Sequence, residues 1–120
     1  MTVLVATLAM VASVHHHEGC NTNVCERRVD RKEHAKTVRR WRRIVQPYDP
    51  WLTRTARCES GLRWHINTGN GFYGGLQFTL PSWRAVGGYG FPHWATPLEQ
   101  KFRGVRLLWA QGRSAWPVCG

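Results

Sequence analysis

Six of the seven tryptophans, Trp51, Trp64, Trp83, Trp94, Trp109 and Trp116, fall in the last 70 residues of this 120-residue chain. Rings of that size must be covered by other apolar groups, so the packed core belongs to the C-terminal part and the first 50 residues supply little of it. A domain of roughly 70 residues buries too little surface to be held by its core alone and usually carries a covalent or metal staple. The four cysteines form two sets, Cys20 with Cys25 and Cys58 with Cys119, and the second set brackets nearly the whole Trp-rich stretch.

Prolines and glycines punctuate the chain. Gln46-Pro47-Tyr48-Asp49-Pro50 ends any helix that precedes it, because neither proline donates a backbone hydrogen bond and each disfavours helix just before it. Three parts are expected: residues 1–14, a basic arm over 15–50, and a domain over 51–120. Glu26 to Val45 reads as a mostly solvated helix with few apolar residues. Asp49 is expected to cap a helix from Pro50 to Ser60, with Gly61 as its stop. Asn70-Gly71 marks the turn of a short irregular hairpin within Asn67 to Gly75, and Pro81 to Val86 reads as a short helix. Thr96, Pro97 and Glu99 form a capping box for a helix with an apolar stripe of Leu98, Phe102, Val105, Leu108 and Trp109, ended by Gly112. The fold class expected is α+β, mainly α, with a vestigial hairpin.

Within this frame Cys58-Glu59-Ser60-Gly61, Trp64 and the run from Asn67 to Phe78 set one carboxylate beside a glycine-rich, aromatic-lined segment. Glycines allow close approach of main chain to a ligand, and flat aromatic faces stack on sugar rings and expel water. A carboxyl pressed into such a wall holds its proton, as a general acid must. After Pro50 the only acids are Glu59 and Glu99. Cleavage of a glycosidic bond usually uses two carboxyls, and Glu99 is committed to its helix start, so Glu59 is expected to act alone. Arg57 and Arg63 oppose this role, since a nearby guanidinium favours the charged form. Trp64, Tyr73 and Trp83 fit a sugar-facing wall or the core, with Tyr73 and Trp64 weighed toward the cleft. Asn67, Thr68 and Gln77 fit hydrogen bonding to N-acetyl groups, or simply the satisfaction of a tight turn.

These residues carry a resemblance. Cys58 to Cys119 resembles the catalytic domain of the resuscitation-promoting factors, a lysozyme-like peptidoglycan transglycosylase family. The match lies in Cys58-Glu59-Ser60-Gly61, in Trp64 through Phe78, in Ser82-Trp83, in Phe91-Pro92-His93 and in the closing Ala115-Trp116-Pro117-Val118-Cys119. The resemblance implies a small lysozyme-like fold and Glu59 as the acid that protonates the bridging oxygen between N-acetylmuramic acid and N-acetylglucosamine. The muramic 6-hydroxyl then closes to a 1,6-anhydro sugar, or water gives plain hydrolysis. It also implies cleft positions at Ser82 and Gln111, and a disulfide between Cys58 and Cys119; two reduced, buried thiols are the alternative. Where the family often carries an aromatic, this chain has Arg113. A non-catalytic wall-glycan binder or a signalling protein is the rival reading.

The formal charge of +10 divides into nine basic residues from Arg27 to Arg43 and eight after Trp51, and both favour anionic partners. Peptidoglycan glycan strands and anionic wall polymers, the latter through Arg27 to Arg43, are the partners expected, with a partner peptidoglycan hydrolase left open. Nucleic acid is disfavoured, because no base-reading motif accompanies the charge, and a monomer is expected. Thr2 to Val14 is an apolar run of signal-peptide length that lacks the usual preceding Lys or Arg. Together with a disulfide it points to a secreted, cell-wall-associated protein. His15, His16, His17, Cys20, Cys25 and His34 match no established zinc spacing, so neither metal nor other cofactor is expected.

Overall fold

The computed structural model describes residues 22–120, with side chains from residue 30 onward. The apolar run at 2–14, His15 to His17 and Cys20 lie outside the described residues, as do the side chains of Cys25, Arg27 and Arg28. The described part is mainly helical: α1 (Thr22–Val45), a 3-10 turn at Gln46–Tyr48, α2 (Asp49–Ser60), α3 (Leu80–Ala85), a 3-10 turn at Pro92–Trp94, α4 (Pro97–Gln111) and a last 3-10 turn at Arg113–Ala115. None of these helices is long and apolar enough to cross a membrane.

The prolines at 47 and 50 shape the chain differently from the expected break. Gln46–Tyr48 continues helically as a 3-10 turn, and Asp49 opens α2 as its first residue instead of capping it. The Asp49 carboxylate instead bonds the Lys101 ammonium at 2.6 Å, tying α2 to α4. At the other end Gly61 takes the left-handed conformation (φ 65°) and its N–H donates to the Arg57 carbonyl at 2.9 Å, so α2 stops one residue after Ser60.

The expected hairpin survives as two isolated antiparallel bridges, Asn67 with Tyr73 and Tyr73 with Phe78. Each bend is made locally: the Asn67 side-chain oxygen accepts from Gly69 N–H, and that of Asn70 accepts from Phe72 N–H, both at 3.0 Å. So many bends in so few residues leave no room for a ladder, which is why no named strand forms.

Helix α4 packs against both α1 and α2. It is capped as expected at its N-terminus, with Thr96 Oγ1 accepting from Glu99 N–H at 3.2 Å. The reciprocal half of the capping box is missing, because the Glu99 carboxylate pairs with Arg103 at 3.4 Å. The buried face also differs from the expected stripe. Gln100, Phe102, Gly104, Val105 and Leu107 are buried, whereas Trp109 is 56% exposed with its edge against Tyr48. A helix held between two others buries more than one stripe, and the indole N–H of Trp109 finds the Tyr48 hydroxyl at 3.0 Å outside the core.

The arm is not wholly solvated. Trp41 of α1 stacks on Phe102 (centroids 5.4 Å apart, planes 22°), and Val45 is buried with the main core. That core is completed by Leu52 and Ala56 of α2, Leu76 and Phe78 of the bridged turns, Trp83, Val86 and Trp116. Cys58 and Cys119 form a disulfide with Cα atoms 5.7 Å apart, closing the domain end to end.

Candidate active site

A cleft of about 380 Å³ opens where the C-terminal end of α2 meets the bridged turns and the chain's closing segment. Glu59, Phe72 and Gln77 line one part, and Ala115 to Cys119 with Cys58 line the rest. Among the described residues Glu59 is the only carboxylate on these walls. It is half-buried, and its pKa is raised by desolvation from burial. Neither flanking arginine pairs with it among the described residues. Arg63 turns its guanidinium Nε to the Ser60 carbonyl at 2.6 Å, so the opposition expected from that side is spent on the helix end.

The position of Glu59 follows from its neighbour. Ser60 is buried, and its hydroxyl donates to the Gly75 carbonyl at 2.8 Å while accepting from Arg63 N–H at 3.1 Å. This ties the last turn of α2 to the glycine-rich segment. From the other side the fully buried Gln100 of α4 accepts from Gly75 N–H at 2.9 Å and donates to the Trp64 carbonyl at 2.8 Å and the Ala95 carbonyl at 3.0 Å. All of its amide hydrogens and its oxygen are therefore used. Gly74 and Gly75 cannot carry side chains here: a Cβ on the first would strike the Gln100 amide, and one on the second the Trp64 ring. The glycines thus serve close packing behind the site.

Of the other residues expected to face a sugar, Gln77 is in the cleft. It holds a left-handed backbone conformation (φ 54°) that is unfavourable for a side-chain-bearing residue. Its side-chain amide donates to the Gly74 carbonyl at 2.9 Å, leaving its oxygen free among the described residues. Trp64 lies elsewhere, packed over Gly75, with the Lys101 ammonium 5.5 Å from its ring centroid. Tyr73 stacks on His93 (5.6 Å, 19°) and touches Phe91. Trp83 takes the core place of its two expected alternatives and not the sugar-facing wall: it is fully buried against Phe78, with its indole N–H directed to the Tyr89 carbonyl, and does not line the cleft. Asn67 makes its turn, Thr68 is exposed beside it, and Ser82 Oγ accepts from the capping hydroxyl of Thr79 at 2.9 Å. Gln111 is exposed at the end of α4, and the Arg113 guanidinium sits 6.0 Å from the Trp51 ring centroid.

Sequence reasoning missed Phe72, which is 46% exposed at the cleft. It also missed the wall built by Ala115, Pro117 and Val118. Phe72 carried a signal, since it follows directly on the expected Asn70-Gly71 turn, where a side chain has few neighbours to pack against. The closing segment carried a weaker one: the Cys58–Cys119 disulfide brings its end beside Glu59, but its seating as a wall also depends on the burial of Trp116, whose indole N–H donates to the Leu76 carbonyl at 2.9 Å. Among the described residues no group of three or more His, Cys, Asp or Glu side chains gathers where a metal could bind.

A family model described as a transglycosylase-like domain matches residues 47–119, the part of the chain that builds this cleft. The chain belongs to that family. The chain is 59% identical over 71 residues to resuscitation-promoting factor Rpf of Micrococcus luteus, covering 59% of this chain and 31% of that protein. It is 54% identical over 70 residues to RpfA of Mycobacterium tuberculosis, covering 56% of this chain and 17% of that protein. Over 65 residues it is 55% identical to RpfE of the same species, covering 54% of this chain and 38% of that protein. The likeness is therefore to a segment of under two fifths of each relative. All of α1, the basic helix, lies before the transglycosylase-like match begins at residue 47.

Proposed function

We propose that this protein cleaves the glycan strands of peptidoglycan in cell-wall remodelling or resuscitation, with Glu59 as its single catalytic acid. The carrying observation is the half-buried carboxyl of Glu59 on the wall of a cleft, alone and unpaired among the described residues and pushed toward its neutral form. Membership of the transglycosylase-like family and similarity to resuscitation-promoting factors support the substrate class.

The chemistry runs in two halves. Protonated Glu59 gives its hydrogen to the oxygen bridging N-acetylmuramic acid and N-acetylglucosamine, so the bond to the muramic anomeric carbon breaks and the leaving sugar departs with a neutral hydroxyl. Positive charge develops on the muramic ring. Glu59, now a carboxylate, removes the proton from that ring's own 6-hydroxyl as its oxygen bonds the anomeric carbon, which restores the acid and leaves a 1,6-anhydro end. Water in place of the 6-hydroxyl gives a reducing end with the same proton accounting. A second enzymic carboxylate is dispensable, because the nucleophile belongs to the substrate. Glu99, held by Arg103 on α4, does not line the cleft.

The exposed face of Phe72 and the free oxygen of Gln77 are the groups we assign to sugar contact and N-acetyl recognition. The Cys58–Cys119 disulfide favours an oxidising compartment outside the cytoplasm, which is where the substrate is found. The deciding measurement is release of soluble muropeptides from purified wall by Glu59→Gln, with mass spectrometry of the products. Loss of release by about a hundredfold or more with wall binding kept is the expected result, and products one water lighter than hydrolytic fragments identify the anhydro course. Undiminished release by the variant refutes the reading.

A further inference from the structure

Helix α1 has two faces, and among the described residues only one of them is occupied. Val38, Trp41 and Val45 follow one another at spacings of three and four, and this side meets the domain: Trp41 stacks on Phe102 and Val45 is buried. Lys32, Lys36, Arg39 and Arg43 recur at the same kind of spacing on the opposite side, and all four are exposed. Arg40 and Arg42, exposed on the flanks, widen this stripe.

Very little negative charge answers it. Among the described residues Glu33 pairs with Lys36 at 2.8 Å, and both partners stay in solvent. The arginines at 39, 40, 42 and 43 have no acidic partner among the described residues. Asp49 shares a groove of about 330 Å³ with Arg42 and Arg43, but its charge is taken by Lys101 at 2.6 Å. Like charges three and four residues apart destabilise a helix, so this face carries a repulsion that a row of anions would relieve.

We infer that the outward face of α1 is a docking surface for a linear anionic wall polymer with a phosphodiester repeat, held rigidly to the domain by Trp41 and Val45. From Lys32 to Arg43 the stripe runs about 17 Å at the helical rise, long enough to span several successive phosphates of an extended chain. No aromatic stands on the stripe to stack a nucleic-acid base; Trp41 points inward. The choice of a wall polymer over other polyanions rests on the proposed peptidoglycan function, while the charge geometry stands without it.

Equilibrium binding of the full chain to poly(glycerol phosphate) at physiological salt tests this without any cleavage step. The triple variant Lys32→Gln, Arg39→Gln, Arg43→Gln is expected to lose at least about tenfold in affinity and to show a shallower salt dependence. The charge-keeping Arg39→Lys, Arg43→Lys variant is expected to bind within about threefold of the parent. Removing three exposed arginines elsewhere, Arg54→Gln, Arg84→Gln, Arg106→Gln, controls for net charge and is expected to bind nearly as the parent does. Equal losses in the stripe and control variants, or no loss in the stripe variant, overturn the proposal. So does tighter binding of the parent to duplex DNA or to phosphatidylglycerol vesicles than to the polymer. Muropeptide release from polymer-stripped wall, measured on the same stripe variant, is expected to be unchanged. Its absence from parent and variant alike, with polymer binding intact, refutes the enzymatic reading and spares this one.

Discussion

In the proposed mechanism Glu59 serves as an acid because its site is the wrong place for a negative charge. Burial raises its pKa, and the arginine best placed to lower it, Arg63, bonds a backbone carbonyl instead. Because the folded protein holds this proton more tightly than the unfolded chain does, stability falls as pH rises through the raised pKa. Glu59→Gln carries no titration, so it is expected to melt above the parent at neutral and alkaline pH, with the gap closing as pH drops below the ordinary carboxylate range. Thermal unfolding of both proteins across pH checks it. Muropeptide release by the parent is expected to decline on the alkaline side as the acid form is lost; a flat pH profile on that side counts against Glu59 as the proton donor. The choice of Glu59 as the candidate acid rests on its motif and on the scarcity of acids. Its freedom from Arg63 was not legible in the sequence, because spacing along the chain fixes which groups are near and not which carbonyl outbids them.

At the scale of elements, the site is a junction between a helix end and a run of turns, and Gln100 secures it from below. This residue occupies α4 beside Phe102 with no sequence pattern to mark it, since a glutamine in an amphipathic helix ordinarily faces water. Its three hydrogen bonds hold Gly75, Trp64 and Ala95. Gln100→Leu keeps the volume and strands a buried N–H and two carbonyls, which is expected to cost about 3 kcal/mol or more. Muropeptide release is expected to fall with it, because Gly75 positions the turn of Glu59 through Ser60. Thr96→Ala removes only an exposed cap at the start of the same helix and is expected to cost about 1 kcal/mol with release unchanged. Urea midpoints measured beside activity separate the two cases, and similar small effects from both substitutions would deny Gln100 its role.

Across the whole molecule, a small domain is closed by one covalent bond between residues 61 apart in sequence. In the chain-entropy model such a loop restricts the unfolded state by about 4 kcal/mol. The pair Cys58→Ser, Cys119→Ser is therefore expected to lose stability of that order in denaturant unfolding and to lose cleft activity with it, since Ala115 to Val118 would no longer be held beside Glu59. Full activity in the variant would show that packing of Trp116 alone positions this segment. The helices, the glycine stops at Gly61 and Gly112 and the Cys58–Cys119 staple were readable, because each depends on residues close in sequence or on a specific chemical type, whereas Pro47 and Pro50 did not break the helical path as expected. Several features were decided only when distant segments met: the burial of Trp83, the exposure of Trp109, the docking of Trp41, the Asp49–Lys101 pair and the cleft wall at 115–118. Periodicity says that a face is apolar; which neighbour covers it, and whether a polar atom reaches a partner, depends on packing in three dimensions.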